Sequence, residues 1–116
     1  GTSLVSQRLR ADAFRKTQQY DRAEALYKTL LNTDDNSQAF YGLGRVAIDK
    51  GDLPAAVPQL EKAIERNPLY VEAYSDLGLV YLLLNNKQPS YDSLMKASQL
   101  SNNDPKVLAN LALWPT

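Results

Sequence analysis

The chain has 116 residues, 44% hydrophobic and 22% charged, and its 13 basic and 13 acidic side chains cancel at neutral pH. That length and composition fit one domain of ordinary globular type, and zero net charge gives no overall field to steer the chain to nucleic acid or an anionic membrane. The absence of cysteine and histidine excludes disulfides, thiolate chemistry, zinc sites built on those residues and a histidine general base.

Taken in chain order, every segment reads as helix, and the helices come in pairs. The first unit covers about residues 3–36. Ala11 and Phe14 on its first helix, and Ala23, Tyr27 and Leu30 on its second, are the predicted inward residues. They precede Gly44, Ala47, Ala56, Leu60 and Ala63 by 33 positions. Gln18-Gln19-Tyr20 stands at the turn between the two helices. Arg10 falls where Leu43 and Leu77 sit later, which a terminal unit with one face to solvent tolerates.

In the second unit, about 37–70, the spacing predicts a helix over 37–50 with Phe40, Leu43, Gly44 and Ala47 on one face. Gly51 suits a left-handed helix end and Asp52 caps the next helix. That helix runs over 53–66 with Ala56, Leu60, Ala63 and Ile64 inward, and Asn67-Pro68 ends it. Pro54 lies in its first turn. Pro58, one turn further in, predicts a late start or a slight kink.

The third unit, about 71–104, repeats the plan after 34 residues. Leu43-Gly44 returns as Leu77-Gly78, Phe40 as Tyr74, Ala47 as Tyr81, Leu60 as Leu94 and Ala63 as Ala97. Its helices are predicted over 71–85 and 87–101, with Asn85-Asn86 at the turn and Ser90, Leu94 and Ala97 inward on the second. A last helix follows over 105–113, opened by Asp104-Pro105 and carrying Leu108, Leu111 and Ala112. A period of this length is the mark of a stacked array. The step of 33 at the start implies a one-residue deletion near 33–36. No apolar run approaches the roughly 18 residues that span a bilayer; the longest covers 79–84. The chain opens with Gly1-Thr2-Ser3, which reads as a trimmed start beyond which a signal peptide or lipid anchor would not be seen.

The residues Phe40, Leu43, Gly44, Gly51, Ala56, Leu60, Ala63 and Pro68, and then Tyr74, Leu77, Gly78, Tyr81, Ser90, Leu94 and Ala97, resemble the tetratricopeptide repeat. Arg10, Gln18, Ala47, Ser90 and Asn102 depart from it. The resemblance implies an all-α fold, an α-solenoid of antiparallel helix pairs in a short right-handed superhelix: three units plus an additional C-terminal helix. Small residues at 44, 78, 56 and 63 let the helices approach closely. The run 104–113, together with Asp12-Ala13-Phe14-Arg15, is similar to the tetratricopeptide lipoproteins of bacterial tight-adherence pilus assembly. That narrower resemblance implies a helper of a pilus or secretion machine in the periplasm or at the outer membrane.

The family resemblance implies that the first helices line a concave groove holding a peptide or partner helix. The positions facing it are Arg8, Asp12, Arg15 and Lys16, then Gln38, Tyr41, Arg45 and Asp49, then Glu72, Ser75, Asp76, Leu79, Leu82 and Leu83. The candidate partner-binding set is Arg8, Asp12, Arg15, Gln38, Tyr41, Arg45, Ser75, Leu79 and Leu82. Tyr41 and Arg45 lie one turn apart as an exposed aromatic and guanidinium, suited to a hot spot and expected to be replaceable without loss of folding. Leu79, Leu82 and Leu83 either meet a partner's apolar side chains or pack on the last helix or on a second copy. A groove that clamps a terminal carboxylate is disfavoured, because Asp12, Gly42, Glu72 and Asp76 occupy the clamping places.

The first 33 residues carry six bases and three acids, a mildly basic end that could meet an acidic partner. The expected partner is a protein or peptide, with no nucleic acid, no membrane span, no cofactor and no metal. Against an enzyme, Asp34 and Asp35 sit in a turn, Asp49 and Asp52 flank another, and Glu61 and Glu65 lie on an outer face beside Lys62 and Arg66. No glycine-rich phosphate loop occurs. The alternative readings are a homo-oligomerisation module, dimeric through the last helix and Trp114, and a cytosolic co-chaperone-like adaptor.

Overall fold

Local signals set the ends of each helix. The computed structural model describes residues 3–102 and 105–113. In it the chain forms α1 (Leu4–Lys16), α2 (Tyr20–Leu30), α3 (Ser37–Asp49), α4 (Leu53–Arg66), α5 (Val71–Leu83), α6 (Lys87–Leu100) and α7 (Pro105–Ala112). The helices of each pair close through one turn type. Gly51 has φ of 80°, and its N–H and that of Asp52 bond back to Ile48 and Ala47 carbonyls at 2.9 Å each. Gln18 and Asn85 take the same left-handed conformation at φ of 63° and 64°, with the equivalent pairs of bonds. This is the Schellman ending, built twice without glycine. Asp52 then caps α4, its carboxylate accepting from the Ala55 N–H at 3.3 Å. The expected Asp104 cap lies outside the described residues.

Two expectations change in detail. α4 begins at Leu53 and runs unbroken through Pro58 to Arg66, so the late start is not seen. The ring lies on the exposed side of the helix, and proline brings no N–H to donate there. The missing residue of the first unit is absorbed by α2, which has 11 residues where α4 and α6 have 14, with a longer linker over 31–36.

Within a pair, the crossing is tight because glycine faces leucine. A β-carbon on Gly44 would lie 2.7 Å from the Leu60 side chain, and one on Gly78 would lie 2.6 Å from that of Leu94. Between pairs, the core straddles the boundary. Ala11, Ala23 and Tyr27 pack with Leu43 and Val46 of α3. Ala56 and Leu60 pack with Leu77 and Val80 of α5. Neither cluster belongs to one unit, so each unit depends on its neighbour, as in stacked arrays generally. Val46 and Val80 keep the 34-residue step and are 1% exposed, yet the motif positions alone do not single them out. Phe14 is only half-buried, held on the cluster's edge with the Arg10 and Arg22 guanidiniums 5.7 and 5.9 Å from its ring centre. Ser90 is fully buried where the second unit has Ala56, because its hydroxyl donates to the Gly78 carbonyl at 2.8 Å.

The first helices also touch one another across units, α1 on α3 and α5 on α7, while each second helix packs on the next first helix. The first-helix side is therefore the inner side of an elongated body with extents of 50 × 27 × 21 Å.

Replacing Gly78 with Leu is expected to lower unfolding stability by about 1–3 kcal/mol or more, since the side chain must enter the space of Leu94. Gly51→Ala meets no atom within 4 Å and should lose only about 1 kcal/mol, from its left-handed backbone. Urea denaturation of both variants checks the order; a larger loss at Gly51 would refute the tight-crossing account.

Candidate partner-binding groove

Polar ties bridge successive units along the inner face. Arg15 of α1 donates to Asp49 of α3 at 2.9 Å. Tyr41 of α3 donates to Asp76 of α5 at 2.6 Å, and Arg45 stands 3.6 Å from the same carboxylate. Asn110 of α7 donates to the Ser75 hydroxyl at 2.7 Å. The partners lie 34, 35 and 35 residues apart, so the array period itself brings them together.

A cleft opens beside these ties where α1 and α3 converge. Its floor is aromatic. Tyr27 comes from α2, and its ring fills the space beside Gly42, where a β-carbon would lie 2.3 Å from the ring. Its hydroxyl reaches the inner face and donates to Asp12, which Arg8 also holds at 3.2 Å. Tyr41 accepts from Arg45 at 3.0 Å, and its ring centre lies 5.0 Å from that of Tyr70, the residue preceding α5. Burial, reinforced by Asp12 for Tyr27, by Asp76 for Tyr41 and by Glu72 for Tyr70, raises all three hydroxyls above their ordinary titration range. They stay neutral and able to donate at any physiological pH. Burial also raises the Asp76 carboxyl, against the lowering effect of Tyr41 and Arg45.

Of the candidate set, Arg8, Asp12, Arg15, Gln38, Tyr41 and Arg45 line this one cleft, joined by Lys16. The rest lie elsewhere. Ser75 is 9% exposed and bonded to Asn110, so α7 withdraws it from the groove. Leu79 and Leu82 are half-buried further along α5, which α7 packs against, while Leu83 is 62% exposed. Trp114 lies outside the described residues. Tyr41 and Arg45 are not the freely exposed pair the helical spacing suggests: both are half-buried and tied to Asp76, so replacing them disturbs the joint between units. Tyr27, Gly42 and Tyr70 complete the cleft and were not among the candidates. The signal for them was slight: Gly42 is a second glycine two residues before Gly44, Tyr27 stands at the inward position that Leu60 takes in the second unit, and Tyr70 lies in a link between units.

The cleft offers guanidinium donors, an exposed amide at Gln38 and an aromatic wall in which the Tyr41 and Tyr70 rings meet at a tilt of 37°, which suits recognition of a polar segment. Among the described residues no group of three or more carboxylates is placed to hold a metal ion, and no helix is long and apolar enough to cross a membrane.

Two outcomes follow. Gly42→Ala has no rotamer escape, because the rigid Tyr27 ring occupies the space. It is expected to destabilise by about 1–3 kcal/mol and to shift the Tyr27 ring resonances in NMR. Asp76 has a folded-state pKa raised from 3.8, so the folded chain holds this proton at a pH where the unfolded chain has lost it. Its contribution is complete below that ordinary value and is lost as pH rises through the folded-state value. Relative to Asp76→Asn, the wild type should therefore gain stability as pH falls from neutral into that window. Melting temperatures across the range check this, and a wild-type advantage that shrinks on acidification would contradict it.

The tetratricopeptide repeat family model matches residues 8–59 and 41–88. The chain is 32% identical over 76 residues to a BBSome complex member from Bos taurus, which covers 66% of this chain and 15% of that protein. It is 30% identical over 90 residues to a TPR repeat-containing protein from Pseudomonas aeruginosa, covering 78% of this chain and 37% of that one. The chain thus spans well under half the length of these relatives. Among solved structures, the C-terminal TPR-containing domain of a Plasmodium falciparum FK506-binding protein superposes with a TM-score of 0.80 at 17% identity. That match covers 96% of this chain and 85% of that one, and it speaks to the fold alone.

Proposed function

The chain belongs to the tetratricopeptide repeat family, and on that premise we propose that it is a non-catalytic scaffold that holds a peptide or partner helix in the inner groove. The observation that carries this is the cleft between α1 and α3. There six of the nine candidate residues meet around a buried tyrosine floor, with donors fixed in direction by the ties behind them. Side chains already ordered lose little freedom on binding, which favours affinity. The proposal predicts that Gln38→Trp, an exposed position at the cleft rim, blocks capture of a partner from the source cell. Glu65→Trp, on the outer side of α4, should leave capture intact. Both variants should keep their helicity and melting temperature. The groove assignment fails if the purified partner binds the Gln38 variant as well as the wild type.

Two narrower readings rest on separate observations. A role in assembling a bacterial pilus or secretion machine, at the cell envelope, is supported by the resemblance of residues 104–113 and 12–15 to the tight-adherence lipoproteins. Fractionation of the source cell tests it, and a wholly cytosolic parent would count against it. Self-association through the C-terminal end is supported by Leu83 and Leu113, which are 62% and 61% exposed. Sedimentation that shows only monomer over a wide concentration range removes it.

A further inference from the structure

Resting on that groove reading, we propose that the cleft between α1 and α3 takes an acidic segment of a partner protein, one carrying several Asp or Glu side chains. The side chains lining the cleft include four cations, Arg8, Arg15, Lys16 and Arg45, and one carboxylate, Asp12. Asp12 is already held by Arg8 and by the Tyr27 hydroxyl, so Arg8 and Asp12 offset each other and the surplus charge of the lining rests on Arg15, Lys16 and Arg45. The lining is cationic although the whole chain is neutral. Asp49 and Asp76 hold Arg15 and Arg45 from the neighbouring helices at 2.9 and 3.6 Å. Both approaches are made to a single nitrogen, Nη1. A guanidinium carries five N–H donors in a planar fork and can bridge a second carboxylate. These contacts therefore aim the two guanidiniums as well as partly neutralising them. Lys16 adds an exposed ammonium at the rim, and the Tyr41 and Tyr70 rings, in tilted contact, limit each other's freedom on the opposite wall.

The charge is local. At the third-unit end of the cleft the exposed Glu72 acts on Tyr70, and the half-buried Leu79 and Leu82 lie further along α5. An acidic stretch would be repelled there by Glu72 and find no cation among those three residues. The ligand chemistry is therefore polarised: carboxylates at the first and second units, with uncharged or apolar residues toward the third. A lone terminal carboxylate is a second source of the same chemistry. It offers one anionic group where Arg15, Lys16 and Arg45 can each take one, so side-chain carboxylates in series are the better match.

The test uses fluorescence anisotropy with four labelled peptides blocked at both ends or not, as follows. Octaglutamate with blocked ends is the probe, set against blocked octalysine, blocked octaglutamine, and octaglutamine with a free C-terminal carboxylate. Saturable binding of blocked octaglutamate that weakens in high salt is expected, with Lys16→Glu and Arg8→Glu each costing about tenfold in affinity. Lys28→Glu makes the same change in net charge on α2, away from this cleft, and should alter affinity less than about twofold. Equal loss in the Lys28 variant, or binding of octalysine or octaglutamine as tight as that of octaglutamate, overturns the proposal. So does equal binding of the free-carboxylate peptide, which would assign the site to a chain terminus. If octaglutamate does not bind while Gln38→Trp still blocks partner capture, the acidic-segment proposal falls and the groove reading stands. If neither effect is seen, both fall.

Discussion

The close crossing of paired helices at Gly44 and Gly78 is the contact on which the rest of this structure depends. Leu60 and Leu94 stand where side chains at those positions would otherwise be. With the pair drawn together, the alanines at 56, 63 and 97 sink to full burial. The next unit can then lie against the second helix, with Leu77 and Val80 completing the cluster begun by Ala56 and Leu60. Because each cluster is shared across a boundary, the array has no self-sufficient unit, and its stability is a sum of neighbour contacts. The same arrangement brings the first helices near enough on the inner side for Arg15 to reach Asp49 and for Tyr41 to reach Asp76. The groove is thus a consequence of the crossing.

Those inner-face side chains serve two purposes at once. Tyr27 is wholly buried and still delivers its hydroxyl to Asp12, which is possible only because Gly42 leaves space for the ring. Tyr41 and Arg45 hold the second unit to the third and also line the cleft. A ligand that added contacts to these guanidiniums would tighten the joints between units. One that displaced Asp49 or Asp76 would loosen them. Binding in the proposed groove would therefore be linked to array rigidity through the same few atoms.

Much of the fold was legible because its signals are local. Gly51, Asp52 and Asn67-Pro68 mark helix ends by backbone preference alone, and the 34-residue step transfers those marks to Asn85 and, with one residue lost, to Gln18. Phe14 was misjudged because periodicity places a residue on a face without showing how much of the face is covered. The cleft was legible in part. Arg8, Asp12 and Arg15 come together because they lie three and four apart on one helix, and Gln38, Tyr41 and Arg45 do so for the same reason. Ser75 obeys the same spacing and fails, because α7 docks on α5 and Asn110 takes up its hydroxyl, an event no spacing within α5 records. Tyr27 and Tyr70 were missed for the converse reason. One belongs to a second helix and the other to the link between units, so neither lies on the face that the groove pattern describes.

The Asp76 site shows what the inner ties contribute. Its carboxyl is pushed up by burial in spite of Tyr41 and Arg45, so the two partners do not fully repay the loss of water. A buried pair of this kind is weak evidence for stability. What it does supply is selectivity of register. If α5 slid by one turn along α3, Asp76 would leave the Tyr41 hydroxyl and the Arg45 guanidinium together, stranding its carboxylate and taking the acceptor from the Tyr41 hydroxyl, while Arg45 kept only its bond to Tyr41. The apolar contacts across the same boundary are less discriminating, since Val, Leu and Ala can repack with modest loss. The hydrophobic clusters thus hold the units together, and the polar ties decide how they are aligned. The alignment they select is the one that sets Tyr70 against Tyr41 and gives the cleft its aromatic wall.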